Sequence, residues 1–429
     1  MDYTSAMAYI KGTEKFGSRL GLQTITALMN RLGNPERCLR IIHVAGTNGK
    51  GSTCAFIASV LEEAGYRVGV YTSPGVFSFN ERIRVNGSPI SDDAIARGIE
   101  TLKPLVDQMV ADGLNAPTEF ELVTALAVFH FAASGCDYVI LEVGLGGLTD
   151  ATNFIPTPLL AVFTTIDYDH MQFLGNSLKE IASIKTGIIK PGGVVVTCDQ
   201  HDDVMEIIKC TCDTGDNRLF VIPKEKTKCL SLTPEALVVE NQNRQFKLGL
   251  IASYQVDNVN LAIGALEILR DTLAVSISDE ALKAGLEKTK WAGRLEVIES
   301  HPVTILDGAH NAQSVRALKE SLNRLYPEYR KVGVIGILKD KAIPEMVDDF
   351  VEIFDEVILT QPSNDRALEG DALKVAFIDA GFDGVITVFK TATEAARYVQ
   401  GRDFEVREMV VYCGSLYQLS EVKKAYEVK

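Results

Sequence analysis

Between residues 41 and 197, short apolar runs alternate with longer stretches whose apolar positions recur at helical spacing. The runs Ile41–Val44, Val68–Tyr71, Tyr138–Val143, Leu159–Thr164 and Val194–Thr197 are too short for helices and rich in branched side chains, which predicts buried strands. Ser52–Ala64, Ile90–Asp112, Glu119–Ser134 and Ser177–Ile189 read as the helices between them. Strands apolar on both faces, alternating with helices, predict a mostly parallel sheet covered by helical layers.

From Leu219 to Leu250 the pattern changes. Short β-rich runs such as Ala236–Glu240 and Gln245–Leu248, split by turn residues, predict a small antiparallel appendix on the main sheet. Helical patterns follow at Gln255–Leu269 and Ser278–Glu287. A second α/β series then places strands at Val303–Leu306, Lys331–Ile337, Glu356–Thr360, Val385–Phe389 and Met409–Tyr412. The expected division falls just after Trp291–Glu296, giving domains 1–297 and 298–429. The expected class is α/β: a P-loop-type sheet domain with its appendix, and a smaller Rossmann-like C-terminal domain.

A chain of 429 residues is long enough for two or three cores. Its net charge of −14 argues against nucleic acid, whose phosphates need a basic face. ATP is not excluded, because it needs only a few local cations and backbone N–H groups. No apolar run is long enough to span a membrane, and no basic-then-apolar leader opens the sequence. The eight cysteines, at 38, 54, 136, 198, 210, 212, 229 and 413, form no CxxC pair. Free thiols and a cytoplasmic location are the expectation.

Chemistry concentrates where predicted strands end. Gly46-Thr47-Asn48-Gly49-Lys50-Gly51-Ser52 follows a buried strand and opens a helix, the arrangement that cradles phosphate. Lys50 would neutralise β- and γ-phosphate oxygens, and Ser52 would offer a hydroxyl to Mg²⁺. The strict GxxxxGK[ST] pattern is not met: Val44 takes the first glycine position and Gly51 follows the lysine. Glu142 lies in an apolar strand that ends in glycines, so its carboxylate needs a cation or strong donors. Thr164–His170 places polar groups after another apolar strand, at the edge where α/β sheets bind ligands.

Together these segments resemble the folylpolyglutamate synthase and dihydrofolate synthase family, related to the Mur peptide ligases. The resemblance runs through His43–Ser52, Tyr71–Pro74, Phe79–Ile83, Thr118–Glu121, Glu142–Gly147 and Asp150–Asn153. It continues in Asp169-His170, Lys185–Gly192, Trp291–Glu296, Leu306–Asn311 and Gly414–Tyr417. Mur ligases usually carry a further N-terminal domain, whereas the loop here starts at residue 46, which favours the folate branch.

The resemblance implies ATP and Mg²⁺, with Ser52, Ser73, Glu142 and His170 as metal ligands. It implies catalytic roles for Lys50, His170, Lys185 and Arg294. Lys185 resembles the family lysine that CO₂ can convert to a carbamate. Nucleotide contacts would come from Gly46 to Ser52, Asn258, Arg294, Asp307 and His310, with ATP expected between the two domains. Phe79, Thr118, Glu119, Phe120, Glu121, Thr149 and Asp150 would border the folate substrate, with Phe77 a further ring nearby.

The implied reaction adds L-glutamate to a reduced folate or dihydropteroate carboxylate through an acyl phosphate, within folate and one-carbon metabolism. Nucleic acid and membrane partners are not expected, and a monomer is. Three departures stand out: Leu148 where the family often has Arg, Tyr254-Gln255 where it has His-Gln, and Ala292 where it has Pro. A Mur-type ligase of cell-wall precursors and a P-loop kinase or ATPase remain the alternatives.

Overall fold

A computed structural model describes residues 1–17 and 21–427. The chain divides into two compact units, each built on its own sheet. The first comprises residues 1–75, 79–226 and 258–286, and the second 76–78, 227–257 and 287–429.

The first unit carries an eight-stranded sheet. Its strands are β1 (Arg40–Ala45), β2 (Val68–Tyr71), β3 (Ile83–Val85), β4 (Ser88–Pro89), β5 (Tyr138–Glu142), β6 (Leu160–Phe163), β7 (Val194–Cys198) and β8 (Arg218–Ile222). The spatial order is β4-β3-β2-β5-β1-β6-β7-β8. From β2 to β8 every pairing is parallel, while β3 and β4 form an antiparallel edge. β1 lies between β5 and β6, so the chain changes direction around it; such a switch point opens a crevice at the carboxyl ends of the strands.

The central strands are apolar because helices cover both faces. Every residue of β2, β5 and β6 is buried. The helix Glu119–Ala133 has almost no polar side because it is wrapped by other helices and the sheet. It starts with a full capping box between Thr118 and Glu121.

The second unit contains a three-stranded antiparallel sheet of β9 (Thr227–Thr233), β10 (Ala236–Asn241) and β11 (Arg244–Leu248). It also contains a six-stranded sheet of β12 (Glu296–Ser300), β13 (Val303–Leu306), β14 (Arg330–Ile335), β15 (Glu356–Leu359), β16 (Val385–Val388) and β17 (Glu408–Cys413). The order is β12-β13-β17-β14-β15-β16, with only β12 antiparallel.

The strand and helix expectations hold to within a few residues, with one correction. The antiparallel appendix was expected to start at Leu219 and to sit on the main sheet. Instead Leu219 lies in β8, which pairs parallel with β7 as the edge of the eight-stranded sheet. The antiparallel sheet begins at Thr227 and shares no ladder with those eight strands. β8 misleads because Leu219–Ile222 is a short apolar run, and such a run does not say which sheet it joins.

Candidate active site

The glycine loop leaves β1 at Ala45 and enters the helix Lys50–Glu63. Gly49 caps that helix in the left-handed region, at φ 85°, where a side chain would be strained and would strike the Asn258 carboxamide. Asn258, at the start of the helix Gln255–Asp271, is thereby brought against the loop. Gly46, at φ 149°, leaves room for Thr164 of the segment after β6.

That segment and the loop are bolted together. Thr47 N donates to Thr165 O at 2.7 Å, and Thr47 Oγ1 donates to Asp167 O at 2.9 Å while accepting from Asp167 N at 3.0 Å. Gln200 fixes the same segment from behind, accepting from Ile166 N at 2.7 Å and donating to Thr164 O at 3.2 Å. The first turn of a helix carries backbone N–H groups with no intrahelical partner, which is what an anion site requires.

Two lysines converge on this loop. Lys50 Nζ donates to Gly46 O at 3.1 Å and Thr47 O at 3.0 Å. Lys185, last residue of the helix Leu178–Lys185 and 4% exposed, donates to Gly46 O at 2.8 Å. Burial, aided by the Lys50 charge and opposed by Asp169 and Asp150, lowers Lys185 to about 7. Gly147 allows this approach, since a Cβ there would lie 2.5 Å from Lys185 O.

The four expected metal ligands sit at the same edge of the sheet. Ser52 is buried in the first turn of the helix Lys50–Glu63, Ser73 is half-buried just after β2, and Glu142 is the buried last residue of β5. His170 follows β6 in the left-handed region, at φ 50°, with Asp169 accepting from its backbone N–H at 2.8 Å. Parallel register sets Val44 beside Glu142 and Tyr71 beside Leu141, so the β1, β2 and β5 ends lie side by side. Among the described residues no three His, Cys, Asp or Glu side chains form a metal cluster. Two hydroxyls and one carboxylate nevertheless suit Mg²⁺ that also takes phosphate oxygens, because that ion favours oxygen and few protein ligands; the His170 imidazole is its less usual partner.

The expected folate-side residues form a second cluster. Arg82 is buried, ion-paired with Glu119, and its guanidinium carbon lies 5.3 Å from the Phe79 ring centroid. Phe120 tilts against Tyr71 with centroids 6.0 Å apart, and Tyr71 OH accepts from Thr124 Oγ1 at 3.3 Å. Glu121 is committed to the helix cap, accepting from Thr118 N at 2.9 Å and Thr118 Oγ1 at 2.8 Å. Thr149 is half-buried on the loop after β5. Asp150 is buried beside it and accepts from Leu145 N and Thr152 N, each at 2.9 Å. Phe77 belongs to the second unit, where Lys423 Nζ lies 3.7 Å from its ring centroid.

In the second unit Arg294 lies beside Asp307, whose carboxylate it favours in charged form against the upward push of burial. Asp307 Oδ2 accepts from Tyr254 OH and Leu295 N at 2.9 Å, and Oδ1 from Ala309 N at 2.8 Å. Leu295 is held at φ 48°, so Asp307 fixes the backbone immediately after Arg294. Oδ1 keeps acceptor capacity for one more donor. His310 Nδ1 donates to Gly308 O at 2.7 Å, which leaves Nε2 without the proton in the neutral ring. Asn311 caps the helix Ala312–Leu325, its side chain accepting from Ser314 N at 2.9 Å.

Sequence reasoning gave no role to His43, Thr152, Arg82, Tyr71, Gln200 or Tyr254. A histidine inside the apolar run Ile41–Val44 was the visible signal for the first. The others act through partners distant in sequence.

Known proteins resemble the chain along its length. Residues 44–266 match the Mur ligase middle domain, and residues 293–416 match the Mur ligase, glutamate ligase domain. The dihydrofolate synthase/folylpolyglutamate synthase of Bacillus subtilis (strain 168) is 38% identical, with 98% of each chain covered. Mycobacterium tuberculosis folylpolyglutamate synthase complexed with ADP superposes with a TM-score of 0.88 at 29% identity, covering 99% of both chains. E. coli FolC in complex with DHPP and ADP gives a TM-score of 0.85 at 26% identity, over 100% of this chain and 98% of that one.

Proposed function

The chain belongs to the folylpolyglutamate synthase/dihydrofolate synthase family of Mur ligases, and from that premise we propose how its residues share the work of an ATP-dependent glutamate ligase. The acceptor carboxylate belongs to a reduced folate or to dihydropteroate. A carboxylate is a poor electrophile, so the γ-phosphoryl group of ATP passes to it and makes an acyl phosphate. The glutamate amine attacks that carbonyl, and phosphate leaves. No enzyme nucleophile is needed; positioning and charge stabilisation carry the catalysis.

The observation that carries this reading is the glycine loop at the end of β1, with Lys50 and Lys185 converging on Gly46. The loop amides and Lys50 bind the β- and γ-phosphates, for which Lys50 exchanges its contacts to Gly46 and Thr47. Asn258 supports the loop at Gly49. Ser52, Ser73, Glu142 and His170 would hold Mg²⁺, which when bound supplies positive charge to the phosphate oxygens. Lys185, with its lowered affinity for a proton, is suited to take up CO₂ as a carbamate.

Arg294, Asp307 and His310 are assigned to the nucleotide on the family resemblance. Phe79, Phe120, Thr118, Glu119, Thr149 and Asp150 border the acceptor, with Glu121 acting through the helix cap. Residues 1–297 then serve the acceptor and most of the nucleotide, and residues 298–429 serve glutamate and contribute Asp307 and His310 to ATP. A monomer in the cytoplasm accords with this reading; no helix among the described residues is long and apolar enough to cross a membrane.

The test is ADP formation with acceptor and glutamate omitted in turn. A ligase forms ADP at full rate only when both are present. Full-rate ADP release without glutamate would favour the kinase or ATPase alternative, and turnover of a UDP-muramyl substrate would favour the cell-wall branch. Lys50→Ala should lower kcat/KM by roughly 100-fold or more, the scale of losing one preorganised charge-stabilising donor.

A further inference from the structure

We propose that His43 is a positioning residue for the acceptor, holding the Asp150 carboxylate in place through the hydroxyl of Thr152. The inference rests on the reading above that Asp150 borders the acceptor. His43 lies in β1, fully buried, with Leu141 and Ala161 as its strand neighbours. Its Nε2 is 2.8 Å from Thr152 Oγ1, and that hydroxyl also contacts Asp150 Oδ1.

The direction of these bonds follows from counting protons. An ionised Asp150 only accepts, so the single hydroxyl proton of Thr152 goes to Asp150. Thr152 Oγ1 then has only lone pairs for His43, so His43 must donate from Nε2. Its Nδ1 is therefore bare, and Nδ1 has no hydrogen-bond partner among the described residues. A second ring proton would put a buried N–H there without an acceptor, which is costly. Burial accordingly lowers His43 to about 3, with Lys190 adding to the effect.

The result is a one-way relay from a locked neutral imidazole to a carboxylate. Asp150 in turn accepts from Leu145 N at 2.9 Å, which shapes the glycine turn after Glu142. Lys190 donates to Asn153 O at 3.2 Å, and Asn153 Nδ2 donates to Leu148 O at 3.1 Å and Gly187 O at 3.0 Å. These bonds hold the rest of the loop, so His43 is left to set the Thr152 hydroxyl. Its place in β1, directly ahead of the glycine loop, makes ATP binding the competing role that must be separated.

Steady-state kinetics of the full chain with ATP, glutamate and the acceptor test this. His43→Leu and Thr152→Val should each raise the acceptor KM about tenfold, the worth of one hydrogen bond. The ATP KM should stay within about twofold. His43→Gln keeps a donor near the Nε2 position and should recover most of the loss, as should Thr152→Ser. The double variant His43→Leu/Thr152→Val should be no worse than Thr152→Val.

Equal rises in ATP and acceptor KM, no recovery in His43→Gln, or additive losses in the double variant would overturn the relay. If His43→Leu does not fold, the contrast between Thr152→Val and Thr152→Ser decides. Asp150→Asn separates the two levels of inference. An unchanged acceptor KM there overturns the placement of Asp150 and the relay with it. A raised acceptor KM in Asp150→Asn beside a silent His43→Leu overturns the relay alone.

Discussion

At Lys185 the fold works against a positive charge. Burial and Lys50 bring the group to about 7, so near neutral pH much of the amine is uncharged and able to take up CO₂. Activity assayed after CO₂ removal should fall and return on adding bicarbonate, while Lys185→Met should be inactive and insensitive to bicarbonate. Indifference of the native protein to bicarbonate would count against the carbamate. Stability carries the same signature. The unfolded chain holds this proton up to about 10.5, whereas the folded chain releases it near 7. Folding is therefore fully free of the penalty above pH 10.5 and loses stability as pH falls towards 7. Denaturant titrations across that window should show Lys185→Met less dependent on pH than the native protein. Gly49 is tied to its backbone in another way. Gly49→Ala should cost about 1–2 kcal/mol for the left-handed conformation alone. It should also weaken ATP binding, because the new methyl displaces Asn258.

Among elements, the loop after β1 and the segment after β6 act as one body. Hydrogen bonds join them: Thr47 closes on Thr165 and Asp167, and Gln200 closes on Thr164 and Ile166. Gln200→Leu should raise the ATP KM several-fold while leaving far-ultraviolet circular dichroism unchanged; an unaltered ATP KM would separate the two elements. The strands and the glycine loop were legible in the sequence because apolar runs and turn residues are local signals. β2 and β13 match their expected spans, and Lys50 begins the helix two residues before the expected Ser52. Couplings such as Thr47 to Thr165 or His43 to Thr152 were not legible, since each joins residues more than a hundred positions apart. The edge strand β8 escaped for a different reason: Leu219–Ile222 is apolar, but a short apolar run does not record which strand it pairs with.

For the whole molecule, the alternating pattern gave the class and two sheets, but not the path of the chain. Residues 76–78 and 227–257 join the second unit although both lie far ahead of residue 287 in the sequence. Such crossings depend on which surfaces pack together, and short-range periodicity does not record that. Nucleotide binding should still register as stability. ATP at one hundred times its Kd should add about 2.7 kcal/mol to the native protein. The same concentration should add much less to Lys50→Ala, as read by thermal shift. The central claim is that the glycine loop serves ligation and not simple hydrolysis. It is tested most directly by following ADP release with dihydropteroate or tetrahydrofolate as acceptor, with and without L-glutamate. The account predicts one ADP per glutamate added and little release when glutamate is absent. Rapid, sustained ADP release without glutamate would contradict it.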